Sequence, residues 1–357
     1  MGLKATLARY AARNPHVLIA EAPGGWQQRA ALERRALRRG WHIADNPADA
    51  DVLAICGRPG PELTKVIGKV WDQLPGPRAG LGLAGSDTDA TEVDTVEVDA
   101  ALKRASAYLA DIALQRTDAR ERRPPDIGST EVGSSGTDTH DMDMDMDMDG
   151  DMHMDMAPSG IPLAGGGDDR DGLEMDVLQL RLGPVLRHWP AGVVVQCSLQ
   201  GDLIVDARAW LVDADQTLPP PSRSTRTEAA RQCDRLSSLL ALAGWPHAAT
   251  RARRVRDLLL ATDEPALDEL DALQRTVTRA RIFNWSMRGV TDGHTGMLAR
   301  ARALLTDSLP PPTSVTTLAD LPERIIGIEL ATARLVIAGL ETLEITDTAA
   351  QPGATDG

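Results

Sequence analysis

The residues of this chain that are best suited to chemistry form one tract, HDMDMDMDMDGDMHMDM, at positions 140–156. It holds seven of the 11 Met residues and two of the seven His residues. Thioethers and imidazoles are ligands for Cu(I), and carboxylates bind harder divalent ions. If the tract is extended, its alternation places Met on one side and Asp on the other. The candidate metal ligands are His140, Met142, Met144, Met146, Met148, Met152, His153 and Met154.

The same tract has a second interpretation, as a solvated tether between two folded parts. A specific metal site needs a fixed coordination geometry, and an unfolded acidic segment supplies none. Residues 137–156 carry eight Asp and no Lys or Arg, a composition typical of a linker. We therefore expect a tether with weak, incidental affinity for transition metals, and we keep functional metal capture as the alternative.

A second place for chemistry is the turn APGG at residues 22–25, which follows the apolar run HVLIA and precedes a helical pattern at 27–39. Such a turn can present backbone N–H groups to a phosphate. It matches neither GxGxxG nor GxxxxGK[ST], so a plain strand-to-helix turn with tightly packed glycines is the competing interpretation. The candidate cofactor-binding residues are Gly24, Gly25 and Arg29.

The elements around this turn predict an α/β domain over residues 1–116. Short apolar runs at 16–20, 51–57 and 81–85 are typical of buried strands, and they alternate with helical patterns. Alternating strands and helices predict a parallel, flavodoxin-like sheet covered on both faces. Parallel sheets bind ligands at the carboxyl ends of their strands, where the turn at 22–25 lies.

The rest of the chain predicts a linker, a second domain and a tail. Residues 117–171 are rich in Asp, Gly, Ser, Pro and Met, which predicts a disordered acidic linker. Residues 172–345 predict an α+β domain, a β-hairpin sheet turning at Gln200-Gly201-Asp202 followed by a helical bundle. Residues 346–357 predict a disordered tail. The expected helices of the bundle are 225–243, 247–261, 266–281, 295–304 and 322–343.

Composition and charge exclude several classes of protein. The net charge of −14 argues against nucleic acid as a partner, because nucleic-acid binding surfaces are basic. No stretch reaches the roughly 18 apolar residues of a spanning helix, so we expect no direct membrane insertion. The N-terminal MGLKATLARY lacks a signal-peptide apolar region, and three scattered Cys residues give no disulfide framework. We therefore expect a cytoplasmic protein.

Two segments carry a family likeness, NPADADVLA at 46–54 and VWDQLPGPR at 70–78. Through them, residues 16–88 resemble the small subunit of nickel–iron hydrogenases and of respiratory complex I. In that family, a Gly-Cys-x-x-Cys loop after the first strand holds an iron–sulfur cluster, and a further Cys follows a later strand.

The departure from that family concerns the cluster ligands. The loop GWQQR at 25–29 places Trp26 and Arg29 where the family has its paired Cys, and the later Cys position falls near Ser86 or Asp87. Iron–sulfur clusters are held chiefly by Cys thiolates. The resemblance therefore implies a small-subunit-like domain without an iron–sulfur cluster.

The second domain shows a weaker likeness. GPVLRHWPAGVVVQCSLQGDLIVDARAWL, at 183–211, resembles the opening strands of the complex I and hydrogenase large subunit. The CxxC pairs of hydrogenases are absent, and the family's His-bearing quinone loop has no clear counterpart. His188 stands alone before Trp189, where a structural role is favoured over a catalytic one. The sequence RIFNWSMR at 281–288 gathers aromatic and basic residues, which predicts either a docking patch or the packed end of a helix.

The resemblance leads to one functional expectation and two rivals. It implies a non-catalytic accessory or structural subunit of a complex I-like or hydrogenase-like redox assembly, with the other subunits as partners and no cofactor of its own. Such a subunit would be peripheral at the inner face of the membrane through its partners. The rivals are a metal-handling protein that uses the Asp-Met tract and an enzyme that uses the turn at 22–25 to bind a nucleotide.

Overall fold

The computed structural model describes residues 14–84, 95–122, 165–168, 174–215, 224–261, 266–306, 308, 315–340 and 342–344. We refer to the described residues up to 122 as the N-terminal part and to those from 165 onward as the C-terminal part.

The N-terminal part is a four-stranded sheet with helices against it. All neighbouring strands are parallel, in the order β2-β1-β3-β4. A 3-10 turn at Pro47–Asp49 leads into β3. The strands are β1 (His16–Glu21), β2 (His42–Ile43), β3 (Val52–Cys56) and β4 (Ala79–Leu83), and the helices are α1 (Trp26–Arg38), α2 (Pro61–Gln73), α3 (Thr95–Ala110) and α4 (Ile112–Glu121).

Both faces of this sheet are buried, as continuous apolar strands require. On one face, Val52 of β3 packs in a cluster with Leu32 of α1 and Leu102 of α3. On the other face, Leu53 packs with Leu63 of α2 in a cluster that also contains Val194 and Val212 of the C-terminal part. The two parts therefore share a hydrophobic core.

The C-terminal part is an antiparallel sheet followed by helices. The sheet has the order β5-β6-β7-β8, and a further parallel pair, β9-β10, lies near the end of the described chain. The strands are β5 (Gly165–Asp168), β6 (Glu174–Leu182), β7 (Val193–Gln200), β8 (Leu203–Leu211), β9 (Val315–Thr317) and β10 (Thr342–Glu344). The helices are α5 (Thr225–Leu242), α6 (Pro246–Leu260), α7 (Ala266–Arg279), α8 (Arg281–Ser286), α9 (Gly293–Leu305), α10 (Leu321–Ile325) and α11 (Leu330–Gly339).

The general expectation of a parallel α/β sheet followed by an antiparallel sheet with helices is confirmed. The predicted hairpin forms between β7 and β8, and Gly201 at its turn has a φ of 63° that favours glycine. Buried residues of α5, α6, α7 and α9 form one common core, which includes Leu236, Leu270 and Met297.

The single helix predicted over 322–343 is wrong. The chain leaves the helical path after α10, because the segment around Gly327 bonds to the start of β8. The Ile204 N–H donates to the carbonyl of Ile328 at 3.0 Å, and the Gly327 N–H donates to the carbonyl of Ile204 at 2.8 Å. The positive φ of Gly327, 84°, allows the turn.

The structure also differs from the sequence at both ends of the predicted linker, 117–171. Helix α4 continues to Glu121, and the strand β5 lies near the other end. The helix continues because Asp118 binds Arg78, whose side chain is buried beside the sheet, with Nη2 and Oδ1 3.1 Å apart. Residues 123–164 lie outside the described residues. Within the described parts of the chain, no helix is long and apolar enough to cross a membrane.

Candidate functional site

The turn at 22–25 packs closely against the loop that follows β3. The Ala22 N–H donates to the carbonyl of Cys56 at 2.8 Å, and the Gly25 N–H donates to the carbonyl of Ala22 at 2.8 Å. A Cβ on Gly25 would lie 2.3 Å from the Cys56 carbonyl oxygen, so glycine is needed for this approach. Gly24 has a φ of 84°, which also favours glycine. The geometry thus gives both glycines a packing role, and nucleotide binding by them stays a prediction.

Arg29, the third candidate cofactor-binding residue, lies on α1 just after this turn. It is at the centre of a group of ion pairs. Its guanidinium contacts Glu21 and, through Nη1, lies 3.0 Å from Oε1 of Glu33. Its Nη2 lies 2.5 Å from Oδ2 of Asp234 on α5, in the C-terminal part. Arg29 therefore links the two parts of the chain.

A second arginine, Arg256 of α6, completes this group. Its Nη1 lies 2.7 Å from Oε2 of Glu33 and 2.7 Å from Oδ1 of Asp234. We call the five residues Glu21, Arg29, Glu33, Asp234 and Arg256 the ion cluster. Arg29 thus pairs with two carboxylates of its own part and one of the other, and Arg256 pairs with Glu33 across the junction and with two carboxylates of its own part, Asp234 and Asp257. The complete cluster therefore needs both parts of the chain.

The ion cluster is buried, with side chains between 1% and 18% exposed. Burial raises the pKa of a carboxylate, but Arg29 and Arg256 outweigh that effect at Asp234 and Glu33 and lower the pKa of both. At Glu21, burial and the neighbouring carboxylates raise the pKa against the attraction of Arg29. Since a buried charge without its partner is strongly unfavourable, these residues stabilise the junction only as a complete set.

A second contact between the two parts lies at the carboxyl end of β3. The carboxylate of Asp213, after β8, accepts from the backbone N–H groups of Glu62 at 2.8 Å and Leu63 at 3.1 Å. These groups belong to the first turn of α2, where a helix favours an anion. The carboxyl ends of β1 and β3, where such sheets commonly bind ligands, are thus both in contact with the C-terminal part.

A cavity of about 260 Å³ lies between the two parts. Trp26 lines it from the N-terminal part, and Arg231, Arg235 and Arg253 line it from the C-terminal part. Burial and the nearby charge of Arg231 lower the pKa of Arg235 to about 10. The wall combines apolar surface with guanidinium groups and with the carboxylates of Glu21, Glu33 and Asp234.

His188 also lines this cavity. Burial and the nearby Arg187 lower the pKa of His188 to about 4, so the imidazole is neutral at pH 7. Its φ is 59°, an uncommon value outside glycine. Trp189 has a structural role, because its indole Nε1–H donates to the carbonyl of Val193 at 2.8 Å.

Several of the predicted metal and cluster positions lie outside the part of the chain that the structure describes. The eight predicted metal ligands from His140 to Met154 lie outside the described residues, as do Ser86 and Asp87. Within the described ranges, no group of three or more His, Cys, Asp and Glu residues could hold a metal ion. Cys56 is buried in β3, and burial raises the pKa of its thiol.

The sequence analysis did not identify Glu33, Asp234 or Arg256 as functional residues. Arg256 lies with Ala252 and Leu259 on the buried face of α6. A charged residue among the apolar positions of a helix is the signal that could have identified it in the sequence. Nothing in the local pattern indicates its partners, because Glu33 is 223 residues away.

Comparisons with known protein families, with curated proteins and with solved structures found no match to this chain.

Proposed function

We propose that this chain is a non-catalytic accessory subunit of a complex I-like or hydrogenase-like membrane-associated redox assembly. Its N-terminal part would be a small-subunit-like, flavodoxin-like domain, and its C-terminal part a large-subunit-like domain. Its role would be to present the surfaces of both to partner subunits as one rigid piece.

The observation that carries this proposal is the role of Arg29. The sequence resemblance assigns this position to a cluster ligand, yet its guanidinium binds Glu21, Glu33 and Asp234. A guanidinium stays protonated in proteins and offers donors only, so it cannot replace a thiolate. The position that would transfer electrons in the family is thus used here to join the two parts.

Two further features support a structural role. The parts share a hydrophobic cluster that includes Leu18 and Val212, and Asp213 binds the first turn of α2. The strand order β2-β1-β3-β4 is that of the first four strands of a flavodoxin-like sheet. The switch point of such a sheet lies between β1 and β3, where Gly25 packs against the Cys56 carbonyl.

The test is a native pull-down of the tagged full-length protein from solubilised membranes, with mass spectrometry of the recovered proteins. We expect cluster-bearing redox subunits and membrane subunits in near-stoichiometric amounts, and a purified chain without bound iron. Recovery of the protein alone, or of a chain with stoichiometric iron, would contradict the proposal.

A pair of variants makes the pull-down more specific. Asp234→Ala removes the acidic partner that Arg29 and Arg256 share, so it should lower the recovery of partner subunits. Asp206→Ala, at an exposed position on β8, is the matched control and should leave recovery unchanged.

A further inference from the structure

Helix α8 is short, but its inner face holds it firmly against the bundle. The ring of Phe283 packs on Trp245 and His294, with ring centroids 5.2 and 5.1 Å apart. The side chain of Asn284 donates to the carbonyl of Val277 at 2.9 Å, and Met287, just after the helix, is 3% exposed. These contacts determine which residues of the helix face outward.

The outward residues include two large apolar side chains. Ile282 is 83% exposed and Trp285 is 69% exposed. Three positions apart on one helix, they lie on the same side. Phe283 thus packs into the core, as the packed end of a helix would, while Ile282 and Trp285 form an exposed patch.

The same region carries an excess of positive charge. Arg275, Arg279, Arg281 and Arg288 are all exposed, and among the described residues none of them forms an ion pair. The sequence between Asp271 and Asp292 contains no acidic residue, although the whole chain has a net charge of −14. Local charge is thus opposite in sign to that of the protein.

Arginine also brackets the exposed tryptophan along the helix. Arg281 precedes Trp285 by one turn, and the N–H of Arg288 donates to the carbonyl of Trp285 at 3.2 Å, which continues the turn. We call Arg275, Arg279, Arg281, Ile282, Trp285 and Arg288 the α8 surface.

We propose that the α8 surface binds the anionic surface of a lipid bilayer. Tryptophan favours the boundary between headgroups and acyl chains, and arginines near a bilayer are attracted to acidic headgroups. This contact is direct, in contrast to the expectation from sequence that any membrane contact runs through partner subunits. It goes beyond the proposed function, and it can be measured without partners.

The size of the apolar patch favours lipid over a protein partner. A standard protein interface buries about 800 Å² on each side around a packed apolar centre. Ile282 and Trp285 supply two side chains on a helix of six residues. A bilayer needs no complementary partner surface, so two inserted side chains and four guanidinium groups are enough for reversible attachment.

The experiment is co-sedimentation of the purified full-length protein with vesicles. We expect binding to vesicles of phosphatidylcholine with about 30% phosphatidylserine, weaker binding as salt rises from about 0.1 M to about 0.5 M, and little binding to pure phosphatidylcholine. Trp285→Ala and the double variant Arg281→Gln/Arg288→Gln should each lower the apparent affinity about tenfold.

Matched controls change the same residue types elsewhere on the surface. Arg208→Gln removes an exposed arginine on β8, and Leu37→Ala shortens an apolar side chain that is 45% exposed on α1. Both should bind as the unmodified protein does. Circular dichroism would verify that every variant is folded.

Two outcomes would overturn the proposal. One is binding that is equal for both kinds of vesicle or is unchanged by the α8 variants. The other is no vesicle binding together with loss of partner subunits from the pull-down of Trp285→Ala, which would assign the surface to a protein. In that second case the proposed accessory role would stand while the lipid contact failed.

Discussion

Arg29 and Asp234 are 205 residues apart in the sequence, and their side chains form a buried ion pair with Nη2 and Oδ2 2.5 Å apart. Arg256 repeats this bridge, since it binds both Asp234 and Glu33. The N-terminal and C-terminal parts are therefore joined by buried ion pairs that cross between them. This property makes the junction directly testable by substitution.

Removal of Asp234 should destabilise the protein. Asp234→Ala removes the carboxylate that Arg29 and Arg256 share, while each arginine keeps other carboxylate partners, so we expect a loss of about 2–3 kcal/mol. Urea unfolding of the full-length chain measures the change. The control Asp206→Ala should change the free energy of unfolding by less than about 0.5 kcal/mol. A loss below about 1 kcal/mol for Asp234→Ala would show that the cluster contributes little.

Stability should depend on pH through His188. Its pKa is lowered to about 4 in the folded protein, from an ordinary value of 6.5, so the unfolded chain binds more protons between these values. The stabilising contribution is therefore complete above pH 6.5 and is lost as pH falls toward 4. With allowance for solvent screening, we expect a loss of roughly 2–3 kcal/mol over this range.

The variant His188→Asn isolates this contribution, because Asn tolerates a positive φ and does not titrate here. Glu21, whose pKa is raised by burial, acts in the opposite direction and is present in both proteins. The difference in unfolding free energy between the two proteins should therefore change between pH 6.5 and 4. A constant difference would mean that His188 is as accessible in the folded chain as in the unfolded one.

Two glycines should respond oppositely to the same substitution. A Cβ on Gly25 would lie 2.3 Å from the backbone oxygen of Cys56, so Gly25→Ala forces the two loops apart and should cost about 1–3 kcal/mol. Gly68, inside α2, has no atom within 4 Å of the position that a Cβ would occupy, and Gly68→Ala should stabilise the helix by about 0.5–1 kcal/mol. Thermal unfolding of both variants provides the comparison, and equal shifts would refute the packing role of Gly25.

Replacement of the Asp-Met tract would distinguish the tether hypothesis from the metal-handling alternative. Replacement of residues 140–156 by a Gly/Ser/Asp segment of equal length keeps the reach and the solvation but removes the thioethers and imidazoles. We expect unchanged recovery of partner subunits in the pull-down. Loss of this recovery, together with loss of Cu(I) binding in equilibrium dialysis, would instead favour metal handling.

Much of the fold follows from the sequence by itself. The β7–β8 hairpin and the helices α5, α6, α7 and α9 lie close to their predicted bounds. Alternation, helical periodicity and the turn at Gly201 are local signals, and each element buries the face that its own pattern specifies. The parallel arrangement of β1, β3 and β4 was predictable for the same reason, from alternating strands and helices.

The tertiary structure alone decided how those elements are used. Local pattern could not show that the segment after α10 bonds to β8 and ends the helix, or that Arg29 pairs with Asp234. Nor could it show that Phe283 turns inward while Trp285 stays exposed. Periodicity records which face of an element is apolar, but the partner of a charge or a backbone group depends on which distant segment packs against it. Which segment packs there is determined by the whole chain, because two charged groups are desolvated and paired only when both are buried together.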